Sequence, residues 1–120
     1  MLNVTIQNLG DLVVLRCAGR IVGGHESEIL RVAAVSQTNA RTVVLDLSEV
    51  ETLDGRGIGI LISLQAWAHA NGKKLQLTNP SQPLLELLQL TNLDSVLEIF
   101  LSKDAALNEA LADTAAYQKA

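Results

Sequence analysis

Four carboxylates stand close together near the middle of this 120-residue sequence: Asp46, Glu49, Glu51 and Asp54. Paired carboxylates can act as general acid and base when a cleft moves their pKa values apart. The sequence shows no such cleft, and Asp54 directly precedes a glycine-led apolar segment. An anionic oxygen there can accept hydrogen bonds from unpaired N–H groups at the positive end of a helix. The pattern therefore favours a capped helix start over catalysis.

The glycines that follow this aspartate raise the question of a phosphate-binding loop. Gly55, Gly57 and Gly59 are spaced G-x-G-x-G, whereas the dinucleotide fingerprint is G-x-G-x-x-G and a Walker loop ends in Gly-Lys-Ser/Thr. Neither pattern is met. We expect these glycines to allow tight turning and a close approach of the backbone.

Asp46 suggests a second chemical possibility, because it stands at the end of the apolar run TVVLDL, where response-regulator receivers carry their phosphoacceptor. Receivers also carry an acidic pair after their first strand. No such pair follows Val4–Ile6 or Val13–Leu15. A small phosphotransfer or nucleotide-handling protein that uses Asp46 and the glycines remains the less favoured hypothesis.

The remaining reactive residues are isolated in sequence. His25 and His69 have no second histidine or cysteine at ligand spacing, so no metal site is expected. Cys17 is the single cysteine, which excludes an internal disulfide and predicts a small packing residue in a strand. No cofactor is expected.

Composition narrows the class of partner. The net charge is −4, aromatic residues make up 2% of the chain, and no basic cluster is present, so nucleic acid is an unfavourable partner. The longest apolar segment, Gly57–Ala68, is about half the ~20 residues that a bilayer crossing requires. We expect a cytoplasmic protein with no direct membrane insertion.

Hydrophobic periodicity predicts the element order ββαβαβαβα in one domain that spans residues 1–120. The expected fold is α/β, a mixed sheet of about five strands with about four packed helices. An acidic connector, Ser48–Asp54, is predicted to join the central strand to the glycine-led helix, and Gly19–Gly24 is predicted as a loop. The predicted strands are Leu2–Leu9, Leu12–Ala18, Thr42–Leu47, Lys73–Thr78 and Val96–Leu101, and the predicted helices are His25–Thr38, a helix led by Gly55, a helix capped by Ser81, and a terminal helix at about 104–116.

The central helix carries apolar residues on more than one stripe. Two interpretations remain open: a helix buried on two sides, or a helix whose first turns form a protein-binding patch. The residues concerned are Ile58, Ile60, Leu61, Ile62, Leu64 and Trp67.

The sequence resembles the STAS domain (sulfate transporter and anti-sigma factor antagonist) over nearly its whole length. The resemblance rests on VVLDLSEVETLDGRGIGILISL, on GKKLQLTNPSQPLLELLQLTNLDSVLEIFLSKDAAL, and on GRI after the second strand. It implies a non-enzymatic module that binds an anti-sigma factor with serine kinase activity and so frees a sigma factor. The residues implied at the interface are Gly23, His25, Asp54, Gly55, Arg56, Gly57 and Ile58.

The resemblance also implies a switch that this chain lacks. In the family motif D-S-S-G-L-G the second serine accepts phosphate, and a phosphate there adds roughly −1.5 to −2 charge at the helix start. This chain reads D-G-R-G-I-G, so Asp54 and Gly57 match, while Gly55 and Arg56 replace the serines. Arg56 cannot accept phosphate.

Three consequences of that replacement stay open. The chain binds its partner constitutively, or it is switched at Thr52 or Ser48, or it serves instead as a STAS subunit of a transport or stressosome-type complex. Arg56 is expected to pair with Asp54 or Glu51, or to contact an acidic partner. The expected oligomeric state is a monomer or weak homodimer.

Overall fold

The computed structural model describes residues 1–102, 104–105 and 108. Its elements follow one another as two strands, then helices alternating with strands. The strands are β1 (Leu2–Asn8), β2 (Leu12–Ile21), β3 (Thr42–Leu53), β4 (Lys74–Thr78) and β5 (Glu98–Phe100), the α-helices are α1 (His25–Val35), α2 (Gly55–Ala70) and α3 (Gln82–Leu90), and a short 3₁₀ helix covers Leu93–Ser95.

The five strands lie side by side in chain order. β1 and β2 form an antiparallel hairpin, and every later neighbour is parallel. The turn of the hairpin contains Gly10 at a φ of 86°, a conformation that glycine adopts without steric cost. Parallel neighbours require crossover connections, and the helices supply them. The predicted mixed sheet of about five strands is confirmed.

All three α-helices pack on one face of the sheet, here called the helix face. The core between the helices and the sheet is mainly aliphatic. Burial of each leucine side chain stabilises the folded state by roughly 1.5–3 kcal/mol. The core includes Val13, Leu15, Cys17, Val43, Leu45, Leu47, Leu75 and Leu77 from the strands and Leu30, Ala34, Leu61, Leu64, Ala68, Leu84 and Leu88 from the helices. A separate small cluster, Leu12, Val14 and Val44, lies on the opposite face.

The acidic connector is the main error of the sequence prediction. Ser48–Leu53 continues β3 instead of forming a turn, because β2 also runs on past Ala18 and pairs with it. Gly19 is opposite Val50 and Ile21 is opposite Leu53. Both apolar residues of the connector, Val50 and Leu53, are buried by this pairing. The predicted loop from Gly19 is therefore strand as far as Ile21.

Other boundaries differ by smaller amounts. α1 ends at Val35 and not at Thr38, and β5 covers only Glu98–Phe100. The described part of the chain has three α-helices, where about four were predicted, and the order gains the 3₁₀ helix before β5. Most of the terminal helix predicted at about 104–116 lies outside the described residues. Among the described residues, every helix falls short of the length and apolar character that a bilayer crossing requires.

Candidate functional site

Asp54 begins the central helix and connects two segments of the chain. Its Oδ1 accepts a hydrogen bond from the N–H of Gly57 at 2.8 Å, so the predicted cap is confirmed. Its Oδ2 lies 3.5 Å from the N–H of Gly23, in the loop after β2. The bond from Gly57 holds the pKa of Asp54 below its ordinary value of 3.8, and the N–H of Gly23 and the nearby Arg56 act in the same direction. A carboxylate with two such donors fixes the loop to the helix start.

Gly57 allows the first turn of α2 to lie directly against the end of β2. A Cβ atom at this position would come 2.0 Å from the carbonyl oxygen of Ile21 and 2.7 Å from Cδ1 of Leu53. Gly55 and Gly59 have no atom within 4 Å of the corresponding point. Only the middle glycine of G-x-G-x-G is therefore required by a close approach of the backbone.

The loop after β2 packs against Arg56. A Cβ atom on Gly23 would come 2.0 Å from Cδ of Arg56 and 2.9 Å from its Cβ. The next residue, Gly24, has a φ of 79° and caps α1. The hydroxyl of Ser27 donates to the carbonyl of Val22 at 2.6 Å, which holds the same loop to the first turn of α1. Both sides of the site are thus fixed by specific contacts.

The segments Gly23–His25 and Asp54–Ile58 together form one surface feature, here called the corner. Gly55 and Arg56 are exposed, Ile58 is partly buried and Gly57 is buried. His25 is the exposed first residue of α1, where the predicted helix also began. The structure brings all seven predicted interface residues to this one end of the sheet.

Arg56 does not form the ion pair that the sequence suggested. Among the described residues, ion pairs within 4 Å join the N-terminus to Glu26, Arg16 to Asp46, and Arg31 to Glu28. The guanidinium of Arg56 thus has no carboxylate within that distance in this part of the chain. Its charge is available at the surface for an acidic group.

The two hydroxyls considered as substitute phosphoacceptors lie on β3. Thr52 is exposed and opposite Arg20 in the sheet, and Ser48 is exposed further back along the strand. Thr52 also lines an open groove of about 440 Å³ between the end of β3 and the start of α3, with Ser81 and Leu84 among its other walls. Thr52 is therefore close in sequence to the corner but belongs to a strand and not to the helix start.

The central helix α2 falls between the two interpretations offered by the sequence, a helix buried on two sides and a helix whose first turns form a protein-binding patch. Leu61 and Leu64 are buried in the core, while Ile58 and Ile60 are partly buried. Ile62 keeps 42% of its surface exposed. Ile62 is therefore partly available to a partner, whereas most of the apolar surface of the helix is used in the core.

Asp46 is buried on the face opposite the helices, away from the glycines. Its carboxylate accepts from the N–H of Ser48 at 3.0 Å and lies 3.8 Å from Arg16. On the helix face, burial raises the pKa of the Cys17 thiol to about 12, with a smaller contribution from the charge of Asp46. Asp46 and Cys17 are both buried, and their contacts are those of residues that support the fold. Within the described residues, no three metal-binding side chains cluster.

Sequence reasoning missed the two close approaches that shape the corner. The contact of Gly57 with Ile21 and that of Gly23 with Arg56 join segments distant in sequence, so no local pattern records them. The extension of β3 that leads to this corner also lacked a clear signal, because its buried apolar residues Val50 and Leu53 are three positions apart and do not alternate with the period of two typical of a strand.

A mixed five-stranded sheet, with a capped helix start at the end of its central strand, defines the class as a STAS-like α/β module. The family model described as "Mlab, STAS domain" matches residues 4–101. The chain therefore belongs to the STAS domain family, as the sequence resemblance indicated.

Similar proteins include sequence relatives and solved structures. A Thermotoga maritima protein provisionally named an anti-sigma factor antagonist is 28% identical over 67 residues, which cover 56% of this chain and 59% of the relative. The chain thus matches little more than half the length of that relative. Two crystal structures share the fold. An anti-sigma factor antagonist from Mycobacterium paratuberculosis has a TM-score of 0.80 and 19% identity, covering 92% and 94% of the two chains. A sulfate transporter family protein from Wolinella succinogenes has a TM-score of 0.75 and 21% identity, covering 85% and 86%.

Proposed function

We propose that this chain is a cytoplasmic anti-sigma factor antagonist, a non-enzymatic module whose corner docks onto an anti-sigma factor that is also a serine kinase. Docking would withdraw that partner from its sigma factor. The family membership supports this proposal, as do relatives that carry the name anti-sigma factor antagonist.

The observation that carries the proposal is the construction of the corner. Asp54 and Gly57 are held by close contacts with the rest of the protein, whereas Gly55 and Arg56 are exposed, and Arg56 takes part in none of the ion pairs among the described residues. A surface that is rigid before binding loses little conformational entropy when a partner docks. The cation of Arg56 favours an acidic patch on that partner.

Arg56 also determines what regulation is possible. The family's phosphoacceptor position has no hydroxyl here, so a kinase partner has no substrate atom at the helix start. We propose that the chain binds its partner constitutively, without control by phosphorylation at position 56. If a phosphate regulates the complex, Thr52 is the candidate acceptor because it is exposed on β3 and shortly precedes Asp54 in the chain.

Calorimetric titration of the anti-sigma factor from the same organism is the direct test. We expect saturable binding in the micromolar range or tighter, and a loss of about tenfold for Arg56→Glu, because a rim charge contributes on the order of 1 kcal/mol. Gln89→Glu adds a negative charge at an exposed position on α3, although a smaller change than Arg56→Glu makes; it is the control for net charge and should bind as the wild type does. No heat with any anti-sigma factor of that organism would contradict the proposal.

A second candidate function is a STAS subunit of a transport complex. Two observations favour it: the missing hydroxyl at Arg56, and the fold shared with a sulfate transporter family protein. Affinity purification from the native organism separates the two. Recovery of a transporter ATPase and permease supports this candidate, and recovery of a kinase and sigma factor supports the first.

A further inference from the structure

Within the part of the chain that the structure describes, β1 is an edge strand without the usual protection of sheet edges. It forms the outer border of the sheet beside β2, and its sequence LNVTIQN contains neither a charged residue nor a proline. Its register with β2 is continuous, so no bulge bends it away. Natural proteins normally blunt such edges with lysine, proline or bulges, because an open strand invites another strand.

The register also shows which backbone groups of β1 face outward. Directly opposite residues at both ends of the hairpin are hydrogen-bonded: Arg20 donates to the carbonyl of Met1, and Leu9 donates to that of Leu12. In an antiparallel ladder, bonded and non-bonded pairs alternate along the strand. The odd-numbered residues of β1 therefore bond to β2. The outward N–H and C=O groups belong to the even-numbered residues Leu2, Val4, Ile6 and Asn8.

An apolar groove accompanies this edge on the helix face. It has a volume of about 500 Å³ and lies between β1 and α1, with Val4 and Ile29 among its walls. Ile6 and Val32, which also line it, each keep 50% of their surface exposed. An incoming strand would cover apolar side chains and satisfy backbone groups at the same time.

We propose that β1 pairs antiparallel with β1 of a second copy, with Thr5 on the two-fold axis. This register places Val4 opposite Ile6 of the other copy as a hydrogen-bonded pair, so the outward groups of both strands meet. Asn3 then lies opposite Gln7 and Thr5 opposite itself, on the other face. Such pairs stabilise antiparallel strands by roughly 0.2–1 kcal/mol each, and a strand without charges brings no like charges together.

The position of α1 agrees with the same arrangement. α1 contacts both β1 and β2. With strands about 4.8 Å apart, a helix centred between them lies about 10 Å from its copy across the new strand pair. Helices pack at 8–10 Å, so Val32 of each copy can meet the other helix. The strand is self-complementary in register, face and helix spacing, which favours a second copy of this chain as the occupant.

Cysteine cross-linking in the full chain tests the register. In Thr5→Cys the two Cα atoms would be about 4.5 Å apart, within disulfide range. In the control Gln7→Cys each thiol would be about 13 Å from its copy. Under mild oxidation we expect Thr5→Cys to form covalent dimer at least about tenfold faster than Gln7→Cys. A mixture of Asn3→Cys and Gln7→Cys should form the heterodimer. The buried Cys17, with its raised pKa, should not compete.

Sedimentation of the unmodified chain gives an independent measurement. We expect a mass that rises with concentration up to about 100 μM and a monomeric Ile6→Pro variant, because proline removes only an outward N–H and is tolerated on edge strands. Circular dichroism and a thermal melt verify that this variant is folded. Equal cross-linking of Thr5→Cys and Gln7→Cys, a wild type that stays monomeric, or undiminished association of folded Ile6→Pro would each overturn the proposal.

Discussion

The aliphatic stem of Arg56 lies directly against the backbone of Gly23, so closely that a single methyl group on the glycine would come 2.0 Å from Cδ of the arginine. Arg56 is therefore packed into the corner and does not extend freely from it. Asp54 joins the same two segments through its bonds to Gly57 and Gly23. The arginine adds a packing contact in a place where a serine could not reach as far.

This contact predicts coupling between the two positions. Gly23→Ala should displace the stem of Arg56 and destabilise the protein, whereas the same change in an Arg56→Ala background should cost less, because only the Cβ contact at 2.9 Å remains. We expect a coupling free energy of about 0.5–1 kcal/mol from a double-mutant cycle measured by urea unfolding. Strict additivity of the two substitutions would show that the stem does not occupy this position.

The central glycines offer a matched pair. Gly57→Ala should destabilise the protein by about 1–3 kcal/mol or more, since its methyl would overlap the carbonyl of Ile21. Gly59→Ala, two residues further along the same helix in open space, should stabilise it by about 0.5–1 kcal/mol. Thermal and urea unfolding of both variants measure the difference. Equal effects of the two substitutions would contradict the close approach of α2 to β2.

Asp54 predicts a pH dependence of stability. Its folded pKa is lowered, chiefly by the N–H of Gly57, so the carboxylate stabilises the folded state fully above the ordinary value of 3.8 and loses that contribution as pH falls through the folded pKa. Asp54→Asn keeps a capping oxygen without the charge. The difference in melting temperature between wild type and variant should be largest near neutral pH and should shrink below pH 3.8. A difference that is constant across pH would contradict the assignment.

Whether a feature of this corner could be predicted from the sequence depends on how far apart in the chain the interacting residues are. The caps at Asp54 and Ser81 are local interactions, and both were predicted from residue type and position. The extension of β3 to Leu53 was not, because it depends on pairing with Gly19–Ile21 of β2. When Ser48–Asp54 was considered alone, its acidic residues favoured a connector, and the two apolar residues Val50 and Leu53 were too few to indicate a strand.

The proximity of the candidate site residues was predictable from the family resemblance, but the contacts that assemble the corner were not. The family resemblance brought Gly23, His25 and Arg56 together, and the structure places them at one end of the sheet. The proposed ion pair of Arg56 is absent among the described residues, and packing against Gly23 takes its place. Such contacts depend on interatomic distances in the folded chain to within a few tenths of an ångström. The spacing of residues along the sequence does not encode these distances.

Restoring a hydroxyl at position 56 tests the account of regulation. Arg56→Ser should become a substrate for an anti-sigma factor that binds the chain and is active as a kinase, and phosphorylation should weaken the complex by adding about −1.5 to −2 charge beside Asp54. Intact-mass measurement after incubation with ATP detects the added phosphate. Arg56→Ala is the control and should stay unmodified at this position. An unmodified Arg56→Ser with an active, bound kinase would refute the claim that position 56 alone blocks the switch.

The proposed docking role of the corner is tested most directly by an NMR titration of the isotope-labelled chain with the proposed anti-sigma factor. We expect the largest changes in backbone amide shifts at Gly23–His25 and Asp54–Ile58, with smaller changes at the neighbouring Ile62. Residues of β5 and of the opposite face, such as Val14, should be unaffected. A footprint confined to those distant residues, with the corner amides unchanged at saturation, would contradict the central claim.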